Sequence, residues 1–226
     1  MHNLAIIDIG SNSMKMVLAE VKKGHSFTII DELKETVRLG EGMTIEKKLK
    51  QDRMDKAIQT LRMFKDLCDA TDTEEIITVA TAAVREATNR QQFLQRVKRE
   101  IGLDVKVLSG IDEGYYDYWG VANSIDKEDG LIMDIGGGSI ELIWMKDRKV
   151  KESTSLSFGA LDITQNFDLY DSINEEQEKE LEDFLHDAYQ EVPWLSEMEH
   201  TALLGVGGTI KNIARIDQRK KDYPLN

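Results

Sequence analysis

Two short stretches decide how this chain folds: Asp8-Ile9-Gly10-Ser11-Asn12-Ser13 near its start and Asp134-Ile135-Gly136-Gly137-Gly138-Ser139 past its middle. Each follows an apolar run, Leu4 to Ile9 or Leu131 to Ile135, and each leads into a further strand-like run. A short apolar run ending in aspartate and glycine reads as a buried strand entering a turn. Glycine lets the backbone take positive φ and approach a ligand closely. Successive N–H groups in such a turn form a nest for an anion, and serine hydroxyls add donors. An aspartate at the strand end suits hydrated Mg²⁺ beside a phosphate. One such loop would be weak evidence, because Asp-Gly turns are ordinary hairpin chemistry. Two, in a repeated order of elements, weigh far more.

Outward from the first loop, Met14 to Val21 and Ser26 to Leu39 read as strands joined by a hairpin turn at Lys22-Lys23-Gly24-His25. Met54, Ala57, Ile58, Leu61, Phe64 and Cys68 recur at helical spacing, and Ile76 to Ala80 is a strand. Asn89 is placed to cap a helix whose apolar face is Phe93, Leu94, Val97 and Ile101. Asp104 to Leu108 is another strand, and Ser109 with Asp112 forms a capping box for a helix through Trp119 and Ala122.

The same order begins again after Gly130. Leu131 to Ile135, Ile140 to Met145 and Lys149 to Leu156 are strands. Leu181, Phe184, Leu185, Ala188 and Val192 mark a helix whose acidic outer face reads as solvated. Ala202 to Val206 is a strand running into Gly207-Gly208, and a helix starts at Thr209. The expectation is a duplicated α/β fold, two βββαβαβα lobes about a cleft, spanning 1–125 and 126–226. The second lobe is expected to lack its last strand and helix, with Tyr223-Pro224-Leu225-Asn226 a point inside a longer protein.

Composition narrows the function classes. With 226 residues, 41% hydrophobic and 31% charged, the chain can build real cores. A net charge of −13 argues against a sequence-independent nucleic-acid binder, though not against a polyanion held by backbone N–H groups and a metal. The single cysteine, Cys68, sits in an apolar helical pattern and reads as a core thiol in a reducing cytoplasm. No signal peptide is expected, and no apolar run approaches the ~18 residues of a membrane span. His2, His25, His186 and His200 show no metal-ligand spacing, so zinc is not expected.

A third glycine stretch, Gly205-Val206-Gly207-Gly208-Thr209, follows a strand and opens a helix. Alone it reads as a tight turn that needs small residues. Beside two matching loops, a helix N-terminus facing phosphate is the preferred reading. There is no P-loop and no Gly-x-Gly-x-x-Gly opening a helix.

The paired loops resemble those of the actin-like (ribonuclease H-like) superfamily, which includes sugar kinases and heat-shock ATPases. Further segments narrow the resemblance to the exopolyphosphatase / guanosine pentaphosphate phosphatase (Ppx/GppA) family. They are Ala80 through Ala87 followed by Asn89, Ser109 through Glu113, Asp134 through Ser139 with Glu141, Ser157 through Ala160, and Gly205 through Thr209.

That resemblance implies Mg²⁺-dependent attack of water on a terminal phosphate, of linear polyphosphate or of guanosine pentaphosphate, by a cytoplasmic enzyme. It also implies a homodimer for the whole protein, with no nucleic-acid or membrane partner. By the same resemblance, Asp8 and Asp134 organise the metal. Gly10, Ser11, Asn12 and Ser13 form one phosphate loop, and Gly136, Gly137, Gly138 and Ser139 form the other. Gly207, Gly208 and Thr209 add phosphate contacts. Glu113 is the general base, and Glu141 is a second acid near the metal and water. Lys15 lies near the anion path, and Arg85 sits in a loop at the cleft wall.

Plainer readings stand beside these roles. Glu113 falls in a first helical turn, where carboxylates are favoured anyway. Lys15 is an ordinary exposed strand residue, and Glu141 alternates with Ile140 and Leu142 as the solvent side of a strand would. Arg85 can simply pair with Glu86 or Glu113. Two departures from the family pattern stand out. Ile140 replaces a usual threonine, and Gly114-Tyr115-Tyr116 removes a usual basic residue. They leave room for a kinase of the same superfamily or a non-hydrolysing guanosine polyphosphate sensor.

Overall fold

The computed structural model describes residues 1–24, 26–43, 46–198, 200–221 and 223. By compactness the chain divides into two units, Met1–Ser109 and Gly110–Asn226.

The first unit is built on β1 (His2–Ile9), β2 (Ser13–Val21), β3 (Phe27–Thr36), β4 (Glu75–Ala80) and β5 (Val105–Val107), in the sheet order β3-β2-β1-β4-β5. β1 runs antiparallel to β2 and parallel to β4. Strand alternation sends Ala5, Ile7 and Ile9 with Met14, Met16 and Leu18 to one face, where all six are buried. Onto that face pack α1 (Gln51–Ala70), through Met54, Ile58, Leu61 and Phe64, and α3 (Arg90–Ile101), through Phe93 and Val97. Cys68 closes this core beside Met16. A short α2 (Ala82–Glu86) links β4 to α3.

The second unit repeats the scheme with β6 (Gly130–Ile135), β7 (Ile140–Lys146), β8 (Lys149–Leu156) and β9 (Leu203–Val206), in the order β8-β7-β6-β9. Again the first strand is antiparallel to the second and parallel to the last. Both faces are covered. On one, α4 (Gly110–Ser124) packs Val121 and Ala122 against Ile132, Ile143 and Met145. On the other, Ile140, Leu142 and Leu156 meet Val192, Tyr189, Trp194 and Phe158. β7 is therefore buried along all but its last residue. The remaining helices are α5 (Ala160–Asn166), α6 (Glu175–Gln190) and α7 (Gly207–Lys220), with a 3-10 turn at Pro193–Glu197. Both units carry the strand order of a ribonuclease H-like half, the actin-like architecture expected.

Several local expectations change. The strand repeat suggests a boundary at 125/126, whereas the compact units divide at Ser109/Gly110. The physical reason is Gly114: a Cβ there would lie 3.2 Å from Ser153 Oγ and 3.3 Å from Ile143 Cγ1, so α4 lies tight on β7 and β8. Asn89 precedes α3 but does not cap it with its side chain. Its amide instead brackets Leu49, accepting from the Leu49 N–H at 2.9 Å and donating to the Leu49 carbonyl at 3.0 Å. Helix α5 was not expected, because seven residues are too few for a periodic signal. His25 of the expected hairpin turn lies outside the described residues, as do Pro224, Leu225 and Asn226. Among the described residues no helix is long and apolar enough to cross a membrane.

Candidate active site

The two glycine loops close in the same way. Gly10 N–H donates to Ser13 O at 3.2 Å, and Gly136 N–H donates to Ser139 O at 3.0 Å. Each loop thus hangs from the hairpin formed by its own flanking strands. A Cβ on Gly10 would stand 2.7 Å from Ser13 O, so the turn needs glycine.

In the second unit, register sets a polar row across the sheet. Asp134 on β6 pairs with Glu141 on β7, which pairs with Ser155 on β8. Ser155 Oγ donates to Glu141 Oε1 at 2.8 Å, and the Ser139 hydroxyl also bonds this carboxyl. Glu141 is 2% exposed, so it is not the solvent side of its strand: α4 covers that face. Burial, and after it the Glu113 charge, push its pKa up to about 8. The Ser155 and Ser139 hydroxyls oppose that rise, and Asp134 adds to it. Glu113 stands in the first turn of α4, adjacent to Gly114, whose lack of a side chain lets the helix approach β7.

Asp134 is held from its other side by α7. A Cβ on Gly207 would sit 2.1 Å from Asp134 Oδ1, and Gly207 has φ +79°. The third glycine stretch therefore closes on an aspartate of its own unit rather than on open space. Thr209 Oγ1 donates to Ile135 O at 2.9 Å and fastens α7 to the end of β6. Gly208 lies between them in the first turn of α7.

In the first unit, Asp8 and Lys15 are cross-strand partners, with Asp8 half-buried and Lys15 exposed. Ser11 is buried, and its Oγ accepts from Ala83 N–H at 3.0 Å, while its carbonyl accepts from Gly40 N–H at 2.9 Å. Asn12 is exposed, and its carbonyl receives Val37 and Arg38. Arg85 belongs to α2 rather than to a loop. It donates to Leu108 O at 3.2 Å and pairs with Glu86.

Ser155 went unread in the sequence, and Gly159 was read only as part of the Ser157–Ala160 match, with no role given to it. Ser155 offered only its alternation with Ser153 on one strand.

Among the described residues no group of three or more His, Cys, Asp or Glu side chains gathers to hold a metal by itself. Mg²⁺ asks for less, typically one or two carboxylates with water and phosphate oxygens completing the octahedron. Asp134, supported by Gly207 and beside an amide-lined loop, fits that donor chemistry.

Two units of ribonuclease H-like strand order, each with a strand-end aspartate entering a glycine turn, define the actin-like fold class. The chain belongs to the Ppx/GppA phosphatase family, whose sequence profile matches residues 17–226. It is 36% identical to the Ppx/GppA family member of Aquifex aeolicus, with a TM-score of 0.76 over 100% of this chain and 72% of that one. An exopolyphosphatase from Cytophaga hutchinsonii shares the fold at a TM-score of 0.92 and 24% identity, over 100% of this chain and 73% of that one. A bifunctional 3-dehydroquinate synthase/phosphatase of Fusobacterium nucleatum is 30% identical over 231 residues, 97% of this chain. The chain spans 35% of the length of that curated relative.

Proposed function

We propose that this protein hydrolyses a terminal phosphoanhydride with Mg²⁺, releasing orthophosphate from inorganic polyphosphate, from the 5′ end of guanosine pentaphosphate, or from both. One observation carries the reading: a buried acid, Glu141, stands in register with Asp134, at the foot of the 136–139 loop and within the field of Glu113. Keeping an acidic group out of water costs stability, and groups perturbed in this way cluster where chemistry uses them.

In this reading the N–H groups of the 136–139 loop hold the phosphoryl oxygens and stabilise the charge that develops on them. Glu113 orients the attacking water and accepts its proton. Glu141, fixed by Ser139 and Ser155, holds a proton or a hydrogen bond beside that water. Asp134 holds the metal, with Gly207 shaping its carboxylate. Mg²⁺, when bound, neutralises charge on the phosphoryl oxygens. Lys15 and the 10–13 loop form a second anion-binding turn, in the first unit. The buried thiol of Cys68 supports a cytoplasmic setting.

The test is phosphate release from polyphosphate and from guanosine pentaphosphate, with and without Mg²⁺. Mg²⁺-dependent release from either supports the reading. Tight binding of guanosine pentaphosphate without release would make the protein a sensor. Release only in the presence of a hydroxyl acceptor, with ADP formed from ATP, would make it a kinase.

A further inference from the structure

The 136–139 loop has a backing that nothing in its own sequence announces. Gly159 is buried directly behind it. A Cβ at Gly159 would stand 2.5 Å from Gly137 C, 2.6 Å from Gly136 O and 2.6 Å from Gly138 N. All three are backbone atoms and cannot rotate away. Gly159 has φ −144°, which any residue can adopt, so glycine is needed here for space and not for conformation.

The two residues after it begin α5. A helix leaves its first N–H groups without internal partners. Here Ala160 N–H donates to Gly136 O and Leu161 N–H donates to Gly137 O, each at 2.9 Å. Asp162 reaches back to accept Gly159 N–H at 3.0 Å, and Ile163 N–H donates to Gly159 O at 2.9 Å. The junction is thus pinned on both its polar groups.

These bonds fix more than position. Both peptides are trans. In a trans peptide the C=O and N–H point in opposite directions. With the carbonyls of Gly136 and Gly137 turned toward α5, the N–H groups of Gly137 and Gly138 must point away from it. We propose that α5 acts through Gly159 as a positioning element, presenting the Gly137 and Gly138 N–H groups as a preset pair of donors for the oxygens of a terminal phosphoryl group. The anion's identity rests on the reading under Proposed function; the preset donor pair does not. Gly159 touches no substrate in this proposal and acts only through the loop.

The experiment uses the whole protein, labelled with ¹⁵N and titrated with inorganic tripolyphosphate in the presence of Mg²⁺. In the parent protein the Gly137 and Gly138 amides shift on binding. Gly159→Ala should push the loop forward, weaken the titration about tenfold and lower kcat/KM about 10²-fold, mostly in kcat. Ala160→Pro removes one clamp donor at the helix position that best tolerates proline, and should act in the same direction. Gly120→Ala, where a Cβ meets open space, should change neither readout. Parental binding and turnover in folded Gly159→Ala or Ala160→Pro would overturn the proposal. Gly137 and Gly138 amides that ignore tripolyphosphate in the parent would overturn it too. Amides that respond in a protein releasing no phosphate would sink the hydrolase reading and leave the positioning role standing.

Discussion

Lys15 and Glu141 hold the same station in two copies of one motif: each is the direct cross-strand partner of the strand-end aspartate that begins its loop, Asp8 in one case and Asp134 in the other. Their surroundings differ. Lys15 is exposed, while Glu141 is sealed under α4. The geometry is shared and the charge reversed; in the function proposed above, the first copy holds an anion and the second handles a proton.

The sealed carboxyl should leave a mark on stability. With its folded pKa near 8 against an ordinary 4.5, Glu141 binds its proton more tightly in the folded state than in the unfolded chain. Its contribution is fully present below that ordinary value and is lost as pH rises through the folded one. Metal-free protein in chelator should therefore melt at falling temperatures from about pH 5 to pH 8, and Glu141→Gln should flatten that slope. Parallel curves for parent and variant would show that the carboxyl does not titrate in that range.

Glu113→Gln should cut kcat by ~10²–10⁴ while leaving substrate affinity nearly intact, because glutamine keeps the shape but cannot accept the water's proton. Stopped-assay turnover at saturating substrate decides this. A variant within threefold of the parent would remove Glu113 from the chemistry.

Lys15→Ala should raise KM more than it lowers kcat. A lysine meets an anion as a mobile point charge, so the defect should shrink at high ionic strength. A salt-independent loss confined to kcat would place Lys15 on the transferred phosphate instead.

Gly207→Ala should displace the Asp134 carboxylate, because the new Cβ would overlap Oδ1 and the backbone there is left-handed. The expected result is a Mg²⁺ requirement raised about 10–100-fold, as for other losses of a metal ligand's support. Asp134→Asn should act in the same direction. Mg²⁺ titration of phosphate release measures both, and unchanged half-saturation in folded Gly207→Ala would detach Asp134 from the metal.

What the sequence made legible was periodic or repeated. The strands beside both loops, the α1 face from Met54 to Cys68 and the doubled Asp-Ile-Gly signature are local patterns, and all appear in the fold. What it hid depends on residues distant in sequence. Asn89 resembled a helix cap, yet its amide brackets Leu49, 40 positions away. Ser11 resembled a phosphate donor, and nothing local showed that its hydroxyl oxygen also accepts the Ala83 N–H, 72 positions away. Glu141 alternated like a surface residue, and only the packing of α4 buries it. Gly159 lay in a segment that matched the family, but nothing local showed what it touches, since its neighbour is a loop some twenty residues earlier in the chain.

The tight seat of Gly114 on β7 has one more effect. Because α4 belongs to the second unit, Glu113 and Glu141 are parts of the same compact unit. The helix that carries Glu113 and the strand that carries Glu141 meet directly, with Gly114 seated against Ile143 and Ser153. The spacing of the two carboxyls is therefore set within residues 110–226 alone, by the absence of one side chain at position 114.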